Sequence, residues 1–240
     1  MTFSRKTLLA TALFAALPIV QAEDDQFRAN VAITTDYVWR GMTQTDEKVA
    51  VQGGFDMNHE SGLLVGIWGS NVKFLEDNTV APEDRADLEI DLYVGYNGDL
   101  GNGIGYGFKA GRFLYPGAGT DLNYDMTEFQ LSLSYSLPQG TELGLAYDYS
   151  PNLSGGVDKA HHLVLSAGHT LANGIGFGGH VGRQAFSDND KAGDDYTYYG
   201  ASLSFPIGEF DGSIAYSNTD KDNAKDVADD RIFFTIRKDF

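Results

Sequence analysis

The chain has 240 residues, a formal net charge of −17 and no cysteine. So negative a surface excludes a nucleic-acid binder, which needs basic patches, and without cysteine neither a disulfide framework nor thiolate chemistry is available. Glycine, phenylalanine and tyrosine are abundant (29, 15 and 13 residues) while mean hydropathy is only −0.26, a mixture expected of strands with one oily and one polar face.

Residues 1–22 read as a secretory leader. Arg5 and Lys6 precede an apolar stretch, Thr7 to Val20, that is broken by Pro18 and followed by Val20-Gln21-Ala22. The stretch is too short for a spanning helix and lacks a basic stop-transfer flank. No later segment reaches the run of about 18 apolar residues that such a helix needs.

From residue 27 onward the hydrophobic period is two, which places alternate side chains on opposite faces of a strand. The first predicted strand, 27–40, alternates Phe27, Ala29, Val31, Ile33, Thr35, Tyr37 and Trp39 with Arg28, Asn30, Thr34, Asp36 and Arg40. Segments 49–59 and 63–72 follow. In the second, Leu63-Val65-Ile67 and Leu64-Trp68-Val72 compete for the apolar face, and a bulge between them would reconcile the two sets. Next, Leu88, Ile90, Leu92, Val94 and Tyr96 alternate with Asp87, Glu89, Asp91 and Tyr93. After 104–115 come Phe129-Leu131-Leu133-Tyr135 against Glu128 and Gln130, then Leu143-Leu145-Tyr147-Tyr149 against Glu142 and Asp148. Segments 161–171, 175–186, 196–205 and 210–218 lead to the last strand, 230–240. It sets Ile232, Phe234, Ile236, Lys238 and Phe240 against Arg231, Phe233, Thr235, Arg237 and Asp239. A terminal strand with one oily face, ending on an aromatic, resembles the last strand of a bacterial outer-membrane barrel. Lys238 stands where an aromatic is commoner, but a lysine near a membrane boundary can snorkel to water.

The connections alternate in length. Glu60-Ser61-Gly62, Pro138-Gln139-Gly140, Ala172-Asn173-Gly174 and Pro206-Ile207-Gly208-Glu209 are short, and the connections between them, such as 41–48, 73–86, 150–160, 187–195 and 219–229, are longer and mostly acidic. Segment 97–103 is read as a further connection. Tight turns at one end and long loops at the other are the signature of an up-and-down barrel. The fold predicted is therefore an all-β transmembrane antiparallel barrel of about twelve strands, filling residues 23–240 as one domain and closed by pairing 27–40 with 230–240. Phe27, Tyr96, Tyr135, Phe205, Phe210 and Phe240 would form the periplasmic aromatic girdle. Tyr37, Trp39, Tyr147, Tyr149, Tyr199 and Tyr216 would form the outer one. An ordinary aromatic core is the competing reading.

Several stretches resemble the TorF family of porin-like outer-membrane proteins. They are Asp36 to Gln44 (DYVWRGMTQ), Ala50 to Asp56 (AVQGGFD), Trp68 to Val72 (WGSNV), Glu89 to Tyr96 (EIDLYVGY), and Tyr115-Pro116-Gly117 with Leu122-Asn123-Tyr124. The resemblance implies the same barrel and a channel role, with no catalytic residues.

Parity assigns the inward ionisable residues as Arg28, Asp36, Arg40, Asp56, Asp87, Glu89, Asp91, Lys109, Glu128, Glu142, Asp148, Asp211, Arg231, Arg237 and Asp239. Carboxylates dominate, which predicts weak cation preference in a pore. These charges could equally pair across the lumen and plug it, leaving a structural or adhesive barrel. Gly105, Gly107 and Gly111 flank Lys109 on one bare inner face, and Gly176, Gly178 and Gly182 flank His180 on another that ends at Gln184. They offer either free cross-section for a solute or room for large side chains of the opposite wall, such as Tyr93. A tight turn at Ala172-Asn173-Gly174 would put His180 opposite Ser166, beside Glu142 or Gly144. That is a faint outline of a lipid-acting enzyme, but without a G-x-S-x-G nucleophile motif. The acidic loops do not match an EF-hand. A softer possibility is that divalent cations bridge them to lipopolysaccharide. The function expected is an outer-membrane channel for passive diffusion of small hydrophilic solutes. No enzyme activity, cofactor or metal is implied. The partners expected are outer-membrane lipids, the barrel-assembly machinery acting on the strand that ends at Phe240, and small polar solutes.

Overall fold

The computed structural model describes residues 26–74, 80–221 and 227–240. The leader assigned to residues 1–22 lies outside them, as do Glu76, Asp77, Asp222 and Asp226 of the acidic loops.

Twelve strands form one closed antiparallel barrel. They are β1 (Gln26–Thr34), β4 (Ala50–Asn58), β5 (Leu63–Asn71), β6 (Leu88–Gly101), β7 (Ile104–Leu114), β8 (Met126–Leu137), β9 (Thr141–Asn152), β10 (Ala160–Thr170), β11 (Gly176–Phe186), β12 (Tyr196–Ile207), β13 (Phe210–Thr219) and β14 (Arg231–Asp239). Two-residue strands β2 (Val38–Trp39) and β3 (Met42–Thr43) make a separate small hairpin. Each barrel strand pairs with its neighbour in sequence, and β1 pairs with β14 to close the ring. Val31 lies opposite Lys238 and Ile33 opposite Ile236, and Ala29 and Phe240 exchange backbone hydrogen bonds. In hydrocarbon an unpaired backbone group has no water to turn to, so this seam is what makes a spanning sheet possible.

The outer surface is an apolar belt. Val31, Phe55, Ile67, Leu92, Phe108, Leu131, Leu165, Val181 and Ile232 all point outward and are exposed. Exposure on this scale would be an aggregation liability in water and is the expected face toward lipid. Rings near the turn end (Phe27, Tyr96, Tyr135, Phe210, Phe240) and near the loop end (Tyr147, Tyr199) border the belt. In β5 the competition resolves without a bulge. Leu63, Val65 and Ile67 face lipid, whereas Leu64 and Trp68 turn inward. Register shifts occur instead in β6 between Asp99 and Gly101 and in β8 between Thr127 and Phe129.

Two expectations are corrected. Segment 97–103 is not a long connection. β6 continues to Gly101, and Asn102 and Gly103, both at positive φ, turn the chain straight into β7. The alternation of short turns with long loops is therefore unbroken. More consequentially, 27–40 is not one strand. β1 ends at Thr34, whose hydroxyl donates to the Asp36 carbonyl, and the chain folds into the barrel. Arg40 (φ 49°) and Gly41 (φ 82°) reverse it within the β2–β3 hairpin. A side chain at Gly41 would strike Tyr198 and Thr219. Tyr37 and Trp39 consequently leave the outer girdle: Tyr37 is buried inside the barrel and Trp39 is half-buried there.

The loop end carries a repeated clasp. Arg112 on the outer face of β7 donates to Thr127 Oγ1 (3.2 Å) and Asp125 Oδ2 (3.3 Å), and Asp125 Oδ1 accepts from the Tyr115 amide (3.0 Å). Arg183 on β11 donates likewise to Thr197 Oγ1 (3.3 Å) and Asp195 Oδ2 (3.5 Å), and Asp195 Oδ1 accepts from the Phe186 amide (2.9 Å).

Leu131 lies mid-strand on the lipid face and Ser166 on the lumen wall. Leu131→Arg should therefore destabilise the barrel in lipid by about 2–4 kcal/mol, whereas Ser166→Lys should change stability by less than about 1 kcal/mol. Urea unfolding in bilayers, followed by heat-modifiable gel mobility, measures both.

Candidate functional site in a loop-capped lumen

The infolded segment, residues 35–49, is here called L1. It is tied at its base by Asp36. The Asp36 carboxylate accepts from Thr43 Oγ1 and Thr45 Oγ1 (3.0 Å) and receives the Arg231 guanidinium of β14 at 3.1 Å. Tyr37 reaches β6, three strands round from β1, where its hydroxyl donates to Glu89 Oε1 (2.9 Å). Tyr115 donates to Glu89 Oε2 (2.9 Å). Burial, and then the Glu89 carboxylate beside them, push both phenols well above their usual range, so both stay protonated donors. The Tyr37 ring meets Trp68 edge-on with centroids 5.6 Å apart, which explains why the inner face of β5 is apolar.

At the tip of L1 sits Arg40. Its guanidinium donates to both oxygens of Glu128 (2.8 Å each) and to Gln184 Oε1 (3.0 Å), and lies 3.5 Å from Asp148. Burial works against the Arg40 charge, but Glu128 and then Asp148 more than offset it. The carboxylates are held in turn. Ser150 donates to Glu128 (2.9 Å), and Gln130 donates to Asp148 Oδ1 (2.7 Å). Asp148 Oδ2 meets His162 Nδ1 (2.6 Å), and His162 Nε2 meets the Tyr198 hydroxyl (2.7 Å). The network therefore spans β8 to β12 and anchors on one loop arginine. Breaking a buried ion pair of this kind costs about 3–5 kcal/mol, because the partners are left charged and dry.

The arrangement divides the lumen. On the turn side of L1 lies a cavity of about 1100 Å³, walled by hydroxyls and small residues of β8 to β12 and by Asp56, Tyr93, Lys109, Glu142 and Arg237, with Trp39 and Arg40 in its roof. On the loop side lies a cavity of about 480 Å³ with a mostly apolar wall that includes the rings of Phe74, Phe186 and Tyr196, with Trp39 again and Gln184. Of the two bare glycine faces, that of β11 receives a ring from the adjacent strand, Tyr198 over Gly182, whereas on β7 a side chain at Gly107 would meet Ser132 and Asn97. Tyr93 lies elsewhere, over Gly66 of β5, and donates to Asp56 Oδ1 (2.5 Å).

Arg28 and Asp239 are exposed and Asp211 is half-buried, near the ends of their strands, and the other sequence-derived lumen residues fall into three groups. Asp36, Arg40, Glu89, Glu128, Asp148 and Arg231 are joined by the hydrogen bonds of L1, and the buried carboxylate oxygens of Asp91 have no hydrogen-bond partner among the described residues. Asp56, Lys109, Glu142, His180 and Arg237 line the larger cavity. Asp87 is displaced from the expected set: it precedes β6 and is exposed. Ser166 does lie opposite His180, and Gly144 beside Ser166. Yet among the described residues no hydrogen bond joins Ser166 to His180. The imidazole leans instead on Gly200 and Tyr198. From sequence Tyr37 belongs to the outer girdle, and Gln130 and Gln184 to inward faces without a role, whereas Tyr115, Ser150, His162 and Tyr198 are not assigned to the lumen. His162 and Tyr198 share inward parity with residues that are. Among the described residues no cluster of His, Asp and Glu is disposed to hold a metal ion.

A closed sheet that is greasy outside, wet within and narrowed by an infolded loop defines a porin-like transmembrane barrel. The chain belongs to the family described as a bacterial protein of unknown function (Gcw_chp), whose model matches residues 21–240. Among solved structures it is similar to the KdgM porin (6% identity, 89% of this chain, 98% of that one, TM-score 0.60) and the NanC porin (11% identity, 89% and 98%, TM-score 0.57). KdgM is also known in complex with disordered oligogalacturonate, with a TM-score of 0.57 to this chain. These likenesses show the fold. No curated protein matches the chain.

Arg40→Ala would leave Glu128 and Asp148 buried without their counter-charge. The expected outcome is release of L1 while the barrel stays closed. In a Trp68→Phe background, Trp39 is the only tryptophan. Its emission should shift to the red and become quenchable by acrylamide, with heat-modifiable mobility retained.

Proposed function

We propose that the protein is a bacterial outer-membrane channel for passive passage of small hydrophilic solutes, with L1 as its constriction. The observation that carries this reading is the division of a polar lumen by a single loop whose tip is held by one arginine. The barrel wall is hydrogen-bonded strand to strand around its whole circumference, so a passage widens most readily where the loop moves. The TorF-like stretch Asp36 to Gln44 is the part of L1 that carries this contact, and it supports the same reading. In this function residues 1–22 serve as the cleaved leader. The strand ending at Phe240 is offered to the assembly machinery, and lipopolysaccharide surrounds the loop end.

The constriction carries the carboxylates of Glu89, Asp91, Glu128 and Asp148 around one Arg40, with Lys109 in the wall below. A carboxylate excess at the narrowest point favours cations. It also disfavours acidic saccharides such as the oligogalacturonate described with KdgM. The second reading, a plugged structural barrel, draws on the same network, because an intact L1 blocks the axis.

Planar-bilayer recording of refolded protein separates the two. The expected result is sparse discrete steps for the wild type, more frequent and larger steps for Arg40→Ala, and a cation-selective reversal potential in a salt gradient for both. Silence from both proteins, each correctly folded, would establish the plugged reading. An anion-selective reversal potential would overturn the assignment of charge at the constriction.

A further inference from the structure

The smaller cavity, on the loop side of L1, has a chemistry that passive diffusion does not require. Its walls are mostly apolar, with Trp39 from L1, Phe74 from the loop after β5, Leu153 and Val157 from the loop after β9, and Phe186 and Tyr196 from the ends of β11 and β12, and Thr43, Gln44, Gln184 and Lys221 are the polar residues among them. Phe186 and Tyr196 lie with centroids 6.3 Å apart, and the Lys221 ammonium sits over both, 5.1 Å from one ring centre and 5.0 Å from the other. That ammonium donates to the Asp194 carbonyl at 2.9 Å, so it also ties the two loops at the rim together.

Two polar atoms on residues lining this cavity are out of place in such company. Gln184 is buried. Its Oε1 accepts from Arg40, but its Nε2 has no partner among the described residues. The Trp39 indole Nε1 is likewise buried without a partner. Both are donors, and an unmet buried donor is a cost that an incoming acceptor removes. A mostly apolar lining with a few unsatisfied donors is the usual make-up of a small-molecule site, and about 480 Å³ is within the usual size range.

We propose that this cavity is a binding site, reached from the loop end of the barrel, for a small molecule with a flat aromatic body and a hydrogen-bond-accepting oxygen of the carboxamide or carboxylate type. The rings take the flat body, and Gln184 Nε2 and Trp39 Nε1, both closed off from solvent in this structure, turn to donate to the oxygen. The inference goes beyond the channel reading and does not depend on it. Because Trp39 and the Arg40-bound Gln184 belong to the contact that holds L1, an occupant bears on the docked position of the loop.

The test uses the full barrel in detergent micelles with Trp68→Phe, so that Trp39 reports alone. Benzamide and benzoate should each give a saturable change in Trp39 emission. Toluene, which lacks the acceptor, and benzylamine, which offers only donors, should bind at least about tenfold more weakly. Gln184→Glu keeps an oxygen for Arg40 and removes the unpartnered donor, and it should weaken benzamide binding by about tenfold or more relative to its own ligand-free emission. Val157→Phe fills the cavity without touching the Arg40 network and should abolish the response. The proposal is overturned if toluene, benzylamine or glucose binds as tightly as benzamide, if both variants bind benzamide like the parent, or if no saturable signal arises. Conductance plays no part in this readout, so a silent bilayer and an empty cavity are separate results.

Discussion

A backbone amide inside a bilayer has no solvent to fall back on, and that requirement governs the molecule. A sheet meets it only by joining its own edges, which here means pairing β1 with β14 through Ile33 and Ile236 and through the mutual bonds of Ala29 and Phe240. Once the ring is shut, the pleat assigns alternate side chains to lipid and to lumen. The outer set is then driven to leucine, valine and phenylalanine, and the inner set is released from any demand for greasiness. The curvature of the ring brings inward side chains close together, and the wall accommodates this by setting a tyrosine over a glycine on the adjacent strand, as at Tyr93 with Gly66 and Tyr198 with Gly182.

An interior relieved of apolar packing can hold charges, provided they are matched. Glu128 and Asp148 are deeply withdrawn from solvent, and their main cationic partner comes from outside the sheet, from the tip of L1. The pairing makes loop and wall mutually dependent. The wall carboxylates lack a counter-charge when L1 leaves, and Arg40 has no comparable set of acceptors elsewhere in the described structure. Tyr37 and Trp68 add an apolar contact to the same docking, and Asp36 with Arg231 pins its base to the closing strand. Three kinds of interaction thus converge on one loop, which gives it a defined seat rather than a diffuse collapse into the lumen.

Much of this was legible in the residues themselves. The period of two located all twelve barrel strands, and parity separated Glu89, Glu128 and Asp148 from the lipid-facing leucines beside them. The seam was readable because the terminal strand has a single oily face. L1 was not, for a physical reason: the alternation of β1 continues through Tyr37 and Trp39, since a hairpin laid inside a barrel also has two distinct sides. A clue was present in β5. Leu64 and Trp68 form an apolar patch on an inner face, which makes sense only if something covers it. Asn102 and Gly103 were hidden in a stretch of glycine and asparagine that reads as loop but pairs as strand. Gln184, His162 and Tyr198 had the right parity, but their partners depend on register across β9 to β12, which no local pattern encodes.

The paired arginine clasps at Arg112 and Arg183 have a bearing on how the cylinder sits in its membrane. Each guanidinium is on the greasy side of the wall yet is fixed to an aspartate and a threonine at the mouth of its hairpin. Drawing either one down among acyl chains would strip water from a charged group already committed to its place, while lifting it would expose the leucines and valines beneath. The hairpins that bear them, β7–β8 and β11–β12, stand a third of the way round the circumference from each other. Two such waterline marks on different sides resist sinking and also tipping, so the immersion depth is written into the wall and does not have to be found by the surrounding lipid.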